Sequence, residues 1–287
     1  MVTHAYTQYN RIKSAIMLAL CWIFTAAIIG ILALVTGYLF SIGYKSVNWA
    51  FFSQEPIAYG MTGFPGGMRN GLVGTCILVA LASLVGIPIG MLTGIFLSEY
   101  GSKSPLSAPV RFICDVLAGV PSIVVGVLGY ELVVVPMGHH FSGWAGALAL
   151  AFIMIPIVAR TTEEMLRLVP NSYREASIAL GATKARTILR IVIPSATGSL
   201  ITGVMLAIAR VAGETAPLLF TAVGSRFLEK DPSRPFPSLT VMIYQNAIEP
   251  SHEQHRLAWA GILVLITLIF ALNISIRLVV ARNQRSA

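Results

Sequence analysis

Six stretches of this 287-residue chain, near 15–43, 71–97, 112–136, 143–160, 195–223 and 257–280, are long, mostly apolar runs. Each is long enough to cross about 30 Å of hydrocarbon as a helix of roughly 20 residues. Inside a bilayer every backbone N–H and C=O must find its partner within the protein, so continuous runs of this length fold as helices, not as open sheet. The implied fold class is an all-α, polytopic membrane protein. Composition agrees, with 56% hydrophobic and 11% charged residues and a mean hydropathy of +0.78, well outside soluble-domain averages. The first run has no small-residue cleavage site and exceeds a signal-peptide core, so it reads as a retained helix. The shortest run, the fourth, carries no charge from Gly143 to Ala159 and offers Trp144 for an interface.

Lys and Arg fall unevenly around these runs. With the N-terminus inside, thirteen of the twenty lie on the cytoplasmic side, Lys103, Arg111, Arg160, Arg167 and Arg174 among them. Six, including Arg69, Arg226 and Arg234, lie outside, and Arg210 falls within a run. The bias sets both termini in the cytoplasm. The +8 formal charge is therefore a matter of topology, and no nucleic-acid partner is implied.

On that assignment the loop 161–190 is cytoplasmic. Asn171 or Ser172 can cap a helix start, and Ser172 with Glu175 has capping-box spacing. Gly181 can take the positive φ of a helix end. A short helix over about 172–180 follows, with Thr183 starting the next helix and Pro194 kinking its entry into the membrane.

Much familiar chemistry is missing. The chain lacks the G-x-x-x-x-G-K-[ST] loop that cradles nucleotide phosphates. The glycine-rich Gly60–Gly71 segment matches no nucleotide fingerprint and reads as a turned external loop. Cys21, Cys76 and Cys114 stand singly in three runs, which suits packing better than a disulfide or thiolate site. His252-Glu253-Gln254-His255 is one residue short of the zinc-protease spacing and reads as a solvated outer loop, while His139 and His140 sit in a short turn. No catalytic residue, metal site or cofactor bound by this chain is assigned.

The strongest chemical signal is Arg210 with Glu214, expected near the middle of the fifth run. A charge there costs about 2.5–3.5 kcal/mol even on insertion scales. Four residues apart on a helix, the two can pair. They form either a structural ion pair or an anion step in a water-filled path. Asp115 and Glu131 are sixteen residues apart in the third run, roughly 24 Å along an unbroken helix, so they belong to opposite ends. Gly119 and Pro121 can break that helix. Arg160 is either an interfacial anchor or an exit-side contact for an anion. Gly126, Gly129, Gly198 and Gly203 suit close helix packing.

Two sets of residues carry a family resemblance. Glu175-Ala176-Ser177, three residues, Gly181, nine residues and Ile191-Val192-Ile193-Pro194 resemble the EAA signature of ABC importer permeases. The family more often has Ala at the position of Ser177 and Leu at that of Ile193. Ala209 to Phe220, together with Arg160 to Leu166 and Leu117 to Val124, looks like phosphate ABC transporter permeases of the PstA type. That resemblance covers most of residues 70–250.

The resemblance implies a type I ABC importer (MetI-like) permease fold in a prokaryotic inner membrane. It also implies a function: passing phosphate inward, with Arg210, Glu214 and Arg160 on the substrate path. Ser172, Glu175, Ala176, Ser177, Gly181 and Pro194 would form the coupling region that docks on a separate ATPase. Implied partners are a second, PstC-like permease, two PstB-like ATPase subunits that use ATP and Mg, an external PstS-like phosphate-binding protein, and membrane lipid. The docking signature alone would fit another oxyanion or small solute, and a membrane platform reporting phosphate status is a further alternative. In this reading residues 1–70 are a first span and external loop, 71–281 the permease core and 282–287 a cytoplasmic tail.

Overall fold

The structure is a computed structural model that describes residues 2–56, 66–101, 104–138 and 140–285. Lys103, His139 and the glycine-rich residues before Gly66 lie outside the described residues. In chain order the helices are α1 (Val2–Gly43), α2 (Trp49–Ser53), α3 (Arg69–Ile95), α4 (Ser107–Gly119), α5 (Ser122–Gly129), α6 (Gly143–Arg167), α7 (Asn171–Ala179), α8 (Lys184–Thr187), α9 (Ile193–Ala212), α10 (Ala216–Thr221), α11 (Leu239–Ile248) and α12 (His252–Arg285). Wider π turns extend α3 through Phe96–Tyr100 and α5 through Tyr130–Val134, and another joins α8 to α9 over Ile188–Val192.

Among the described residues, five helical stretches are long and apolar enough to cross a membrane: Arg11–Ser46, Arg69–Tyr100, Gly143–Arg167, Lys184–Ala212 and His252–Ser275. A sixth crossing requires counting Ser107–Gly119 and Ser122–Val134 as one span, and these are bent by 103°. The bend is local chemistry. Proline disfavours helical backbone in the residue before it, and Val120 and Pro121 are both extended, with ψ of 130° and 135°. Asp115 and Glu131 therefore lie on different arms, and the straight-helix distance between them does not apply.

The core is built on α3 against α6. Leu78 and Ala82 meet Leu150, Met154 and Val158, with Ala207 and Val211 of α9 and Leu218 of α10 closing the cluster. Gly86, Gly90 and Gly94 recur every fourth residue on the buried face of α3. A Cβ on Gly90 would stand 2.7 Å from the Val158 Cβ and 2.9 Å from the Ile155 carbonyl. The helices approach at backbone distance there, as small-residue stripes allow in membranes. Gly126 against Pro217, Gly129 against Thr221 and Gly203 against Thr161 are further close approaches.

Loops of opposite assignment gather at opposite ends. At the end that charge bias sets outside, the segment after α10 turns through left-handed Val223 and Gly224 and lies over the start of α6. The N–H groups of Gly143 and Trp144, which have no partner within α6, donate to the carbonyls of Arg234 and Pro232 at 3.1 and 3.0 Å. Asn70 donates to the Ser225 and Arg226 carbonyls. The tetrad from His252 to His255 is the first turn of α12, not loop. Cys114 is buried, whereas Cys21 and Cys76 are exposed; all three are free.

Candidate functional site

The run from 195 to 223 is not one span. α9 stops at Ala212 with Gly213 as its cap, and α10 restarts with Pro217 in its first turn. Arg210 therefore occupies the last turn of α9, and Glu214 lies within the break, which corrects the mid-helix position expected from the sequence. The Glu214 N–H donates to the Val211 carbonyl at 3.1 Å, and its own carbonyl accepts from the Thr240 hydroxyl of α11 at 2.8 Å. The carboxylate is thereby held where the Arg210 Nη2 reaches it, 3.3 Å away. The pairing survives without a continuous helix because a tight turn bridges the break. Exposure is unequal: the Glu214 side chain is 11% exposed and that of Arg210 60%. An arginine in the last turn of a span reaches the membrane interface, a protein neighbour or a water-filled path.

This break adjoins the one in the third crossing. α5 packs on α10, where Gly126 abuts the Pro217 backbone, so one arm of the bent crossing lies beside the short helix that follows the break after α9. Irregular backbone at membrane depth is tolerated where it lines a cavity or is buried in protein.

Arg160 lies on α6 toward the other end. It meets Asp115 of α4 at 3.4 Å and Glu164 at 3.3 Å, all three side chains about half exposed. Its neighbour Thr161 packs on Gly203, seven residues before Arg210 on α9 and hence about 10 Å along the axis. The two candidate path arginines thus stand at different depths, each beside a carboxylate.

The cytoplasmic loop forms a compact elbow. Pro170, with ψ of 139°, precedes α7, whose start lacks a side-chain cap. The capping box expected of Ser172 and Glu175 is absent. The helix begins at Asn171, which moves Ser172 inside the first turn and leaves Glu175 exposed. Gly181 takes φ +82°, and the Ala182 N–H donates to the Ser177 carbonyl at 3.1 Å, a left-handed helix end as expected. Thr183 caps α8 through the Arg186 N–H. Pro194 follows the Ile188–Val192 π turn within the continuous Lys184–Ala212 stretch. Ser177 is buried, and its hydroxyl bonds that of Thr187 at 2.8 Å, so it braces the elbow from within, whereas Glu175 and Ala176 face outward.

Other residues at this end carry no sequence motif of their own. Leu180 is 89% exposed at the tip, near exposed Tyr173 and Ile178. Arg174 turns inward and binds Glu99, its Nη2 2.6 Å from the Glu99 Oε1. Glu163, 2% exposed, holds Arg111 and Arg167 at 2.7 Å each. Fold proximity alone joins Glu99 to Arg174 and Arg111 to Glu163. Among the described residues no group of three or more His, Cys, Asp or Glu could hold a metal ion.

The family described as the binding-protein-dependent transport system inner membrane component matches residues 86–285. The chain is 48% identical over 219 residues to the phosphate transport system permease protein PstA of Yersinia pestis, covering 76% of this chain and 74% of that protein. It is 41% identical over 272 residues to PstA of Haemophilus influenzae, covering 94% of each. Its fold is similar to the inward-facing MetNI methionine ABC transporter, with a TM-score of 0.60 at 19% identity over 75% of this chain and 94% of that chain. A bacterial ABC transporter for alginate import gives a TM-score of 0.63 at 13% identity, over 91% of this chain and 96% of that one.

Proposed function

The chain belongs to the binding-protein-dependent transport system inner membrane component family, and from that we propose how it works as the permease subunit of an ATP-driven phosphate importer. It is a transport subunit, not an enzyme, and sits in the inner membrane as a multi-pass protein. The observation that carries the phosphate assignment is the 41% identity to a phosphate permease across 94% of both chains. A permease of this class works with an ATPase that supplies the energy and with a substrate-binding protein. In this reading the ATPase is a pair of PstB-like subunits using ATP and Mg, the binding protein is PstS-like and external, and the second permease is PstC-like.

The residue chemistry supports phosphate. At neutral pH the anion still carries a proton, so it can accept charge-assisted bonds from a guanidinium and donate one to a carboxylate. Arg210 is the open cation of its pair and serves as an electrostatic step. Glu214 holds Arg210 between passages and accepts a hydrogen bond from the protonated oxygen of the phosphate. Arg160, shared between Asp115 and Glu164, is a second step nearer the cytoplasm. Since Arg210 is so exposed on this chain alone, the path is a shared one, its other wall supplied by the second permease. Residues 71–281 form the transporting core, preceded by the accessory 1–70 and followed by the tail 282–287.

α7 is the coupling helix. Its outward residues, Ser172, Glu175, Ala176 and the Leu180 tip, enter the ATPase, while Ser177, Gly181 and Pro194 keep the elbow in shape. Closure of the ATPase pair around ATP moves the elbow and rocks the spans. The test is labelled phosphate uptake by the reconstituted complex in sealed vesicles, with and without internal ATP. Arg210→Ala is expected to leave assembly intact and lower ATP-dependent uptake about a hundredfold, the scale for a lost charge-assisted contact. Uptake equal to wild type removes Arg210 from the path.

A further inference from the structure

The turn Phe96–Tyr100 at the cytoplasmic end of α3 ends a helix, and helix ends leave carbonyls without partners and favour cations. Side chains from other elements supply them. Arg111 of α4 donates through Nη2 to the Leu97 carbonyl at 3.1 Å and through Nε to Glu163 of α6 at 2.7 Å. Lys184 of α8 donates to the Glu99 carbonyl, with its Nζ 4.1 Å from the Tyr100 ring centroid.

Arg174 completes the set. Its Nε is 3.2 Å from each Glu99 oxygen and its Nη2 2.6 Å from Oε1. Nη1 reaches the Val169 carbonyl at 2.7 Å and Nη2 the Leu166 carbonyl at 2.9 Å. One guanidinium thus ties α7 to the end of α3 and to the end of α6. Glu99 is 8% exposed and the Arg174 side chain 18%, so water competes little for these bonds.

α7 needs such a tie. It is a nine-residue helix between an extended Pro170 and a left-handed Gly181, two points where a chain turns easily. Ser177 with Thr187 fixes it to the α8 side, and Arg174 with Glu99 fixes it to α3. With the second link cut, α7 can tilt about the first without moving α3.

We propose that Arg174 and Glu99 form the joint through which displacement of α7 reaches the membrane helices, acting as positioning residues that couple ATP hydrolysis to transport. The proposal rests on reading α7 as the ATPase-docking helix. A joint and a mere brace differ in one measurable ratio, phosphate moved per ATP hydrolysed. Loss of a brace lowers both rates with the amount of complex; loss of a joint lets hydrolysis run without transport.

The experiment uses the whole complex in sealed vesicles and compares wild type with Arg174→Gln, Glu99→Gln, Arg174→Lys and Leu180→Asp. In assembled Arg174→Gln and Glu99→Gln complexes, ATP hydrolysis is expected to stay within about twofold while phosphate per ATP falls about tenfold or more. Arg174→Lys recovers part of the ratio, since an ammonium can reach Glu99 but cannot span both oxygens and two carbonyls. An unchanged ratio in the assembled glutamine variants overturns the joint, as does failure of both to assemble, which assigns the pair to folding. Leu180→Asp reads the premise separately. If that variant keeps its ATPase subunits, α7 is not the docking helix and the proposal falls with it. If it loses them while Arg174→Gln keeps a normal ratio, only the joint is rejected.

Discussion

Glu214 and Arg210 have different environments, and in the proposed path that difference would give them different work. The carboxylate is nearly enclosed and anchored through its backbone on α11, whereas the guanidinium can swing toward a passing anion. Glu214→Gln keeps the shape and removes the charge that, in the proposed path, accepts a hydrogen bond from phosphate. Phosphate uptake is expected to fall about tenfold, with sulfate becoming a better competitor, on the scale of one charge-assisted hydrogen bond. Competition assays on the same vesicles check this; unchanged uptake and unchanged sulfate rejection confine Glu214 to a structural pair. The residue types and the pairing of this site were legible in the sequence, because four-residue spacing and a charge inside an apolar run are one-dimensional facts. The helix break was hidden. Gly213 and Pro217 both permit a continued apolar pattern, and hydropathy registers side chains, not dihedral angles.

At the level of elements, α7 carries two faces with separate duties. Arg174 and Ser177 point into the protein, while Glu175, Ala176 and Leu180 are exposed. Leu180→Asp introduces a desolvation cost only where a partner covers the tip. It is expected to weaken ATPase association by about ten- to a hundredfold, the scale of an interface anchor, without changing the permease's own melting. Pull-down of ATPase subunits by the detergent-solubilised variant measures it. The sequence motif located this helix to within a residue but assigned it the wrong start. Ser172 and Glu175 have the spacing of a capping box, and the extended Pro170 begins the helix one residue earlier, so the box has no N-terminus to close. In the third crossing, by contrast, Gly119 and Pro121 announced their break, since proline constrains backbone whatever surrounds it.

Taken whole, the molecule is a tight α3–α6 spine with looser spans around it. The spine depends on three glycines that let two helices touch along their backbones. Gly90→Val drives a side chain into Val158 and Ile155 of α6 and forces α3 and α6 apart, and overpacking of this kind costs about 1–3 kcal/mol. A lower thermal midpoint and a lower yield of folded protein in detergent are expected, and an unchanged midpoint means that the spine can part without loss. Five of the six apolar runs correspond to continuous helical crossings and the sixth to a pair bent by 103°, as hydropathy anticipates, but the glycine stripe went unnoticed because its meaning depends on which helix lies opposite. α1, by contrast, is exposed over most of its length and packs on the rest chiefly at its end, where Tyr38 meets Trp259 and Gly43 meets Leu263. The exposed Leu180 tip also has a cost for the cell. With 89% of its surface open, that side chain stands to gain about 1.5–3 kcal/mol from full burial, so under the proposed docking a single residue would supply a good part of the grip, and the isolated subunit would carry a sticky point wherever its ATPase is missing.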